Sequence, residues 1–177
     1  MIRLLLNDDV YDSVIEHGLA EAKHSVWIAT ANVKNLMMAI GGAQVRSSLD
    51  LFEEMASKGI NVRLLHSGVP SGPFLKALRS HEKQLAGGHF IMKRCVRIHL
   101  KCVLIDNRLL YMGSANFTGA GLGMKGKTRR NFEAGILTDE DEIMDRIADV
   151  YESIWDGKLC PKCGRKEQCI VPLESPF

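Results

Sequence analysis

Along residues 8–23 the apolar side chains Val10, Val14, Ile15, Leu19 and Ala22 recur every three or four positions, the period of one helical face, and predict a helix. Residues 25–31 (Ser-Val-Trp-Ile-Ala-Thr-Ala) are short, apolar and β-branched at key positions, which suits a buried strand. Gly41 and Gly42 break the chain. Leu49, Phe52, Met55 and Ala56 mark a second helix that stops at Gly59, and residues 60–66 read as a second strand. Pro73 sits where a first helical turn tolerates it, and Phe74, Leu78 and Leu85 carry a third helix to Gly87 and Gly88. The texture then changes to strands at 89–93, 97–105, 109–112 and 132–137, the middle pair joined by Asp106 and Asn107, residues suited to a tight turn. Thr138 followed by Asp141 marks a helix start, and Ile143, Ile147, Val150 and Ile154 trace one face down to Gly157. This order of elements predicts one α/β domain over residues 1–157. There is no internal repeat.

Residues 158–177 form a tail with three cysteines and too little apolar surface to fold alone. Its Cys160-Pro-Lys-Cys163-Gly turn resembles a zinc knuckle, and Cys169 follows. These are three ligands where a closed zinc site wants four; Cys95, a histidine or a residue of a partner chain is the candidate fourth. An iron–sulfur cluster, or a reduced or disulfide-bonded Cys160–Cys163 pair, is the alternative. A metal here would pin the tail to the core. The spacing of all five cysteines, Cys102 included, is poor for a disulfide framework.

Composition adds bounds. At 177 residues and 46% hydrophobic, the chain has material for one domain and a real core, with no run of about 18 apolar residues to span a bilayer. The apolar run at the N-terminus is far shorter than a secretory signal core, so a cytoplasmic location is expected. The net charge of +2 does not announce an anionic partner, yet it conceals a local imbalance. Lys93, Arg94, Arg97, Lys101, Lys125, Lys127, Arg129 and Arg130 fall between residues 93 and 130, where Asp106 is the sole acid, while the last helix carries compensating charge.

The chemistry concentrates in the same segment. His99 and Lys101 lie two apart on a predicted strand, so both leave one face while Leu100 and Cys102 turn to the other. An imidazole beside a fixed ammonium is what attack on a phosphodiester requires, and Ser114 and Asn116 can donate to phosphate oxygens. Together these residues spell H-x-K-x4-D-x6-G-S-x-N, which resembles the catalytic motif of the phospholipase D superfamily at every fixed position. Chance produces such a match in a chain of this length on the order of a few times in a million.

That resemblance implies a mixed sheet flanked by helices, and catalysis through His99, Lys101, Asn116 and Ser114. It also implies that Glu133 accepts a hydrogen bond from the nucleophilic histidine. Asp106, although a motif member, falls in the predicted turn and is expected to orient the hairpin, not to move protons. The implied reaction has two steps: one histidine forms a phosphohistidine, and a second protonates the leaving oxygen and then activates water. Two motif copies are needed and the chain holds one; His81 and Lys83 repeat only the first two positions. A homodimer pairing two His99 residues is therefore expected. No divalent metal is expected in the chemistry, because Lys101 and Asn116 of both subunits would neutralise the phosphate.

Residues 121–128 also satisfy the phosphate-binding pattern G-x4-G-K-[ST], but only Arg129, Arg130 and Asn131 separate it from the next apolar run, too few to begin the helix such a loop requires. The expected role of Lys125, Lys127, Arg129 and Arg130 is to grip a polyanion backbone, against the plainer reading of a solvated loop. Among members of this superfamily, small single-motif chains look most like nucleases. A nucleic-acid backbone is the expected substrate; a lipid phosphodiester, or nucleic-acid binding without catalysis, is the alternative.

Overall fold

A computed structural model describes residues 1–40 and 45–176; the chain break read at Gly41 and Gly42 lies outside them. In chain order the elements are β1 (Ile2–Leu6), a wide-wound helix (Tyr11–Gly18) with a final tight turn, β2 (Ser25–Thr30), β3 (Met37–Met38), β4 (Arg46–Ser47) and α1 (Ser48–Ser57). There follow β5 (Asn61–His66), α2 (Gly72–Ser80), α3 (Glu82–Leu85), β6 (Phe90–Arg94), β7 (Cys102–Ile105), β8 (Leu109–Gly113), β9 (Ala134–Thr138) and α4 (Asp141–Trp155). Seven strands form one mixed sheet in the order β1-β9-β8-β7-β2-β5-β6, with β2, β5 and β6 parallel and the remaining neighbours antiparallel.

The period-two alternation of the central strands divides the core into two layers. Val103 and Ile105 face a cluster with Val14, Ile15, Leu49, Phe52 and Leu78 from the helices of one face. Cys102 and Leu104 face Met144, Tyr151 and Trp155 of α4 on the other. Phe52 is fully buried and stacks on Phe90 at 5.6 Å and Phe117 at 6.0 Å, so it ties α1 to β6 and to the segment behind the motif. Truncating a side chain so placed costs about 3–5 kcal/mol.

Local chemistry explains the helix boundaries. Ser47 and Asp50 close a reciprocal capping box on α1, with Asp50 N donating to Ser47 Oγ at 3.1 Å and Ser47 N to Asp50 Oδ2 at 2.9 Å. Gly59 ends that helical segment at φ +77°. The first helix winds wide, Leu19 N donating to Val14 O, which keeps Val10, Val14, Ile15 and Leu19 on one buried face. The single helix expected from Pro73 to Leu85 is interrupted at His81, whose ring nitrogens lie 2.8 Å from Ala77 O and 2.7 Å from Asp50 Oδ1. Burial disfavours the charged ring, but the two acceptors outweigh it and raise the His81 pKa.

Several expectations need correction. β1 was not foreseen: Ile2, Leu4 and Leu6 are exposed and only Leu5 is buried, so the run lacks the signature of an interior strand although it pairs with β9 from Ile2–Thr138 to Leu6–Ala134. The strand expected at 97–105 begins only at Cys102, and that expected at 132–137 begins at Ala134, leaving Phe132 97% exposed. On α4 the fully buried stripe is Met144, Tyr151 and Trp155, while Val150 is exposed. Thr138 is not the cap of α4; it is the buried end of β9, its Oγ1 accepting from Glu140 N at 3.1 Å. The tail folds back on the domain, with Leu173 against the α4 layer and Glu174 bridged to Arg94 by a backbone bond of 2.9 Å and an ion pair of 3.1 Å.

Candidate active site

The topology gathers every motif residue except Asp106 at one edge of the sheet. β2, β5, β6 and β8 all end there, and β7 and β9 begin there, so the segments before β7, after β8, after β2 and before β9 meet. Open α/β sheets bind ligands at this kind of edge.

His99 and Lys101 sit on the irregular segment that enters β7. A turn closed by Ile98 N to Cys95 O at 3.0 Å takes the chain off the end of β6, and regular pairing resumes only as Gly113 N reaches Lys101 O at 3.0 Å. The alternation read from the sequence still holds: Ile98, Leu100 and Cys102 pack toward α4, whereas His99 is exposed and Lys101 half-buried. The His99 ring has no hydrogen-bond partner among the described residues. Lys101 Nζ donates to the His99 carbonyl at 2.8 Å. Burial holds the Lys101 pKa below the ordinary lysine value, opposed by the nearby Glu133 carboxylate.

Across the edge, β8 leads through Gly113 into Ser114 and Asn116. A Cβ on Gly113 would lie 2.6 Å from Ala134 O and 2.7 Å from Gly135 Cα, so the motif glycine is required by the close approach of β9. Asn116 Oδ1 accepts from Ala31 N at 3.0 Å and Asn32 N at 3.2 Å, and lies 3.2 Å from the Thr30 hydroxyl. Two backbone donors fix which end of the amide is oxygen. Nδ2 is thereby the free end, without a partner among the described residues. Thr30, 1% exposed, also accepts from Phe117 N at 2.9 Å. Sequence reasoning missed this support because it comes from the end of β2, more than eighty positions away.

Glu133 stands just before β9, held by a pair of bonds with Asn7: Asn7 N donates to Glu133 O at 2.9 Å and Glu133 N to Asn7 Oδ1 at 3.2 Å. Its carboxylate accepts from the Ser114 hydroxyl and from Asn131 Nδ2 at 2.9 Å. Among the described residues no hydrogen bond joins it to His99, so the pairing that the resemblance implies is not made in this arrangement.

Asp106 lies at the opposite end of β7. Asp106 and Asn107 both have positive φ (53° and 50°), as in a tight hairpin turn. The Asp106 carboxylate accepts from Lys23 N at 2.8 Å, His24 N at 2.7 Å and Ser25 N at 2.8 Å. Burial opposes ionisation here, but the three amides outweigh it and lower the pKa. Asp106 orients the hairpin against the start of β2; it does not reach the sheet edge that carries His99.

The basic residues divide. Lys125, Lys127 and Arg129 are exposed on a turn-rich segment without the helix of a nucleotide-binding loop. Arg130 is instead half-buried and paired with Asp8 at 2.6 Å, which pins the loop to the N-terminal segment. Lys93 and Arg94 are also engaged: Lys93 Nζ donates to Trp155 O at 3.0 Å over that ring, and Arg94 holds Glu174. Phe132, between the loop and Glu133, projects into solvent, an exposed aromatic that the strand expectation hid. The tail cysteines Cys160, Cys163 and Cys169 are free thiols lining a separate cavity with Cys95.

An exposed histidine, a lysine, an orphan amide and a carboxylate at the open edge of this mixed sheet define a phospholipase D-like phosphodiesterase fold. The chain belongs to the family described as "Cardiolipin synthase, PLD-like domain", whose model matches residues 15–155. Its fold is similar to that of NucT from Helicobacter pylori, with TM-score 0.62, 18% identity, and coverage of 86% of this chain and 95% of that one. Nuc from Salmonella typhimurium, a phospholipase D family member, gives TM-score 0.61 and 12% identity, covering 88% and 94% of the two chains. Phosphatidylserine synthase from Haemophilus influenzae Rd KW20 gives 0.61 and 15%, covering 86% of this chain and 38% of the other. No curated protein matches the sequence. Among the described residues no helix is long and apolar enough to cross a membrane.

Proposed function

We propose that this protein is a metal-independent nuclease that cleaves nucleic-acid backbones through a phosphohistidine, in an active site shared by two copies of the chain in the cytoplasm. The observation that carries the reading is the site's unspent hydrogen-bonding capacity. His99 is exposed and unpartnered, Asn116 Nδ2 is left over after its oxygen is fixed, and Lys101 lies between them in sequence on the same edge.

In the proposed reaction a ring nitrogen of His99 attacks phosphorus and the P–O bond to the leaving strand breaks. His99 of the partner subunit gives its proton to the departing oxygen. Water, deprotonated by that same imidazole, then attacks the phosphohistidine; the P–N bond breaks and His99 is restored. Lys101 and Asn116 of both subunits bind the non-bridging oxygens, where charge builds in the transition state. Glu133 restrains Ser114 and balances the charge of Lys101. Because these residues carry one motif, the reading takes the second histidine from a second copy.

Nucleic acid is favoured over lipid by the exposed cations Lys125, Lys127 and Arg129, suited to a backbone, and by the exposed aromatic Phe132 that follows them in sequence, suited to a base. The test is an assay of wild type and His99→Ala, with chelator present, against single-stranded DNA, duplex DNA, RNA and phospholipid, together with a solution mass. Cleavage of nucleic acid that disappears in the variant while binding persists supports the reading. Turnover of phospholipid alone selects the lipid alternative, binding without cleavage by wild type selects the binding module, and an active monomer overturns the shared site.

A further inference from the structure

The tail and the segment before the motif share a cavity of about 280 Å³ whose walls include four of the five cysteines. Three come from the tail; the fourth, Cys95, comes from the turn that leaves β6, four residues before His99. All four are free thiols, and the remaining wall is mostly apolar, with Val96, Ile170 and Leu173. Cys169 Sγ lies 3.9 Å from Val171 O, and four thiols gathered in a mostly apolar recess suit a soft or borderline cation. Among the described residues, no three His, Cys, Asp or Glu groups are yet drawn together tightly enough to hold an ion. Binding would therefore require the sulfurs to close on the cavity from its walls.

Local geometry at Cys163 suits a thiolate ligand. Cys163 N donates to Cys160 O at 3.1 Å, folding the Cys-x-x-Cys turn, and Arg165 N points at Cys163 Sγ at 3.5 Å. An amide aimed at sulfur from two residues on stabilises a thiolate where it would meet a metal. The Arg97 guanidinium approaches the same sulfur at 4.0 Å, and Lys166 lines the cavity, so the double negative charge of a tetrathiolate centre would be compensated locally.

We propose that Cys95, Cys160, Cys163 and Cys169 bind one structural zinc ion that clamps the tail to the segment carrying His99. Four thiols lose their protons to buffer and four Zn–S bonds form, with no change of oxidation state. The ion takes no part in phosphodiester chemistry, so the proposal stands or falls independently of the nuclease reading.

The experiment is metal analysis of the full chain purified under reducing conditions without chelator, followed by zinc competition titration of wild type, Cys95→Ser, Cys163→Ser and, as a thiol outside the cavity, Cys102→Ala. One zinc per chain is expected, with affinity reduced by roughly a hundredfold or more in the first two variants and unchanged in the third. Cobalt titration of wild-type protein stripped of metal provides a reading that needs no variant to fold. A tetrahedral four-sulfur spectrum supports the site; a three-sulfur spectrum overturns the place of Cys95. Iron in place of zinc, absence of metal, or full affinity in Cys95→Ser also overturns the proposal. Tryptic cleavage at Lys158, Lys162, Arg165 and Lys166 is expected to quicken at least tenfold when zinc is removed; an unchanged rate overturns the clamp.

Discussion

The two ends of the β7–β8 hairpin carry residues of the same motif in opposite conditions. At the turn, the Asp106 carboxylate accepts from three backbone amides and is committed to the fold. At the open end, the His99 ring and Asn116 Nδ2 have no partner among the described residues, although both are held in place through other atoms or neighbours. Membership of a motif therefore does not by itself leave a residue with open hydrogen-bonding capacity. What separates the ends is whether hydrogen-bonding capacity is spent on the fold or left open.

The sharpest way to break this contrast is at His99. His99→Ala is expected to lower phosphodiester cleavage by about 10⁴-fold or more while leaving the urea midpoint unchanged. A variant that cleaves normally, or that unfolds, would erase the distinction. Lys101→Met comes next, with an expected loss of about 10²–10³-fold, the scale of a transition-state charge donor. Because burial lowers its pKa, Lys101 loses its proton earlier than a free lysine as pH rises. The alkaline limb of the rate profile is thus expected below pH ~10.4, and Lys101→Arg should push that limb upward if it retains activity.

Asp106→Ala tests the other end. Losing three charge-assisted bonds at a half-exposed turn is expected to cost about 2–4 kcal/mol in urea unfolding, with kcat of the folded fraction unaltered. A loss of kcat without loss of stability would move Asp106 to the catalytic side of the comparison. The smallest effects belong to the loop. Replacing Lys125, Lys127 or Arg129 by Ala should each lower the salt slope of nucleic-acid binding by about one. Arg130→Ala should instead loosen the loop from Asp8, seen as faster proteolysis near Gly123.

The sheet was legible wherever burial imposed a pattern. β2, β5, β7 and β8 were found because their side chains must fill two apolar layers, and the Asp106–Asn107 turn because its backbone conformation selects such residues. β1 escaped because it is an edge strand whose exposed apolar residues mimic no interior pattern. The motif fixed the identity of His99, Lys101, Ser114 and Asn116. It did not show what orients them: Thr30 and the amides of Ala31 and Asn32 hold Asn116 from a distant strand, and Asn7 holds Glu133. Such contacts depend on which segments the topology brings together, and no spacing along the chain encodes them. The same holds for Arg130, counted with the loop cations until Asp8 claimed it, and for Phe132, assigned to a strand that starts two residues later.

The bridge between Arg94 and Glu174 occupies the outer side of β6, the last strand of the sheet. Unpaired amides and carbonyls on a strand border are a template onto which another chain can add, and the bridge closes that border at Arg94. The tail thus stops strand addition at one end of β6 by occupying Arg94; a chain cut after Gly157 would keep every motif residue and is expected to lose that cap, seen as faster amide exchange at Arg94.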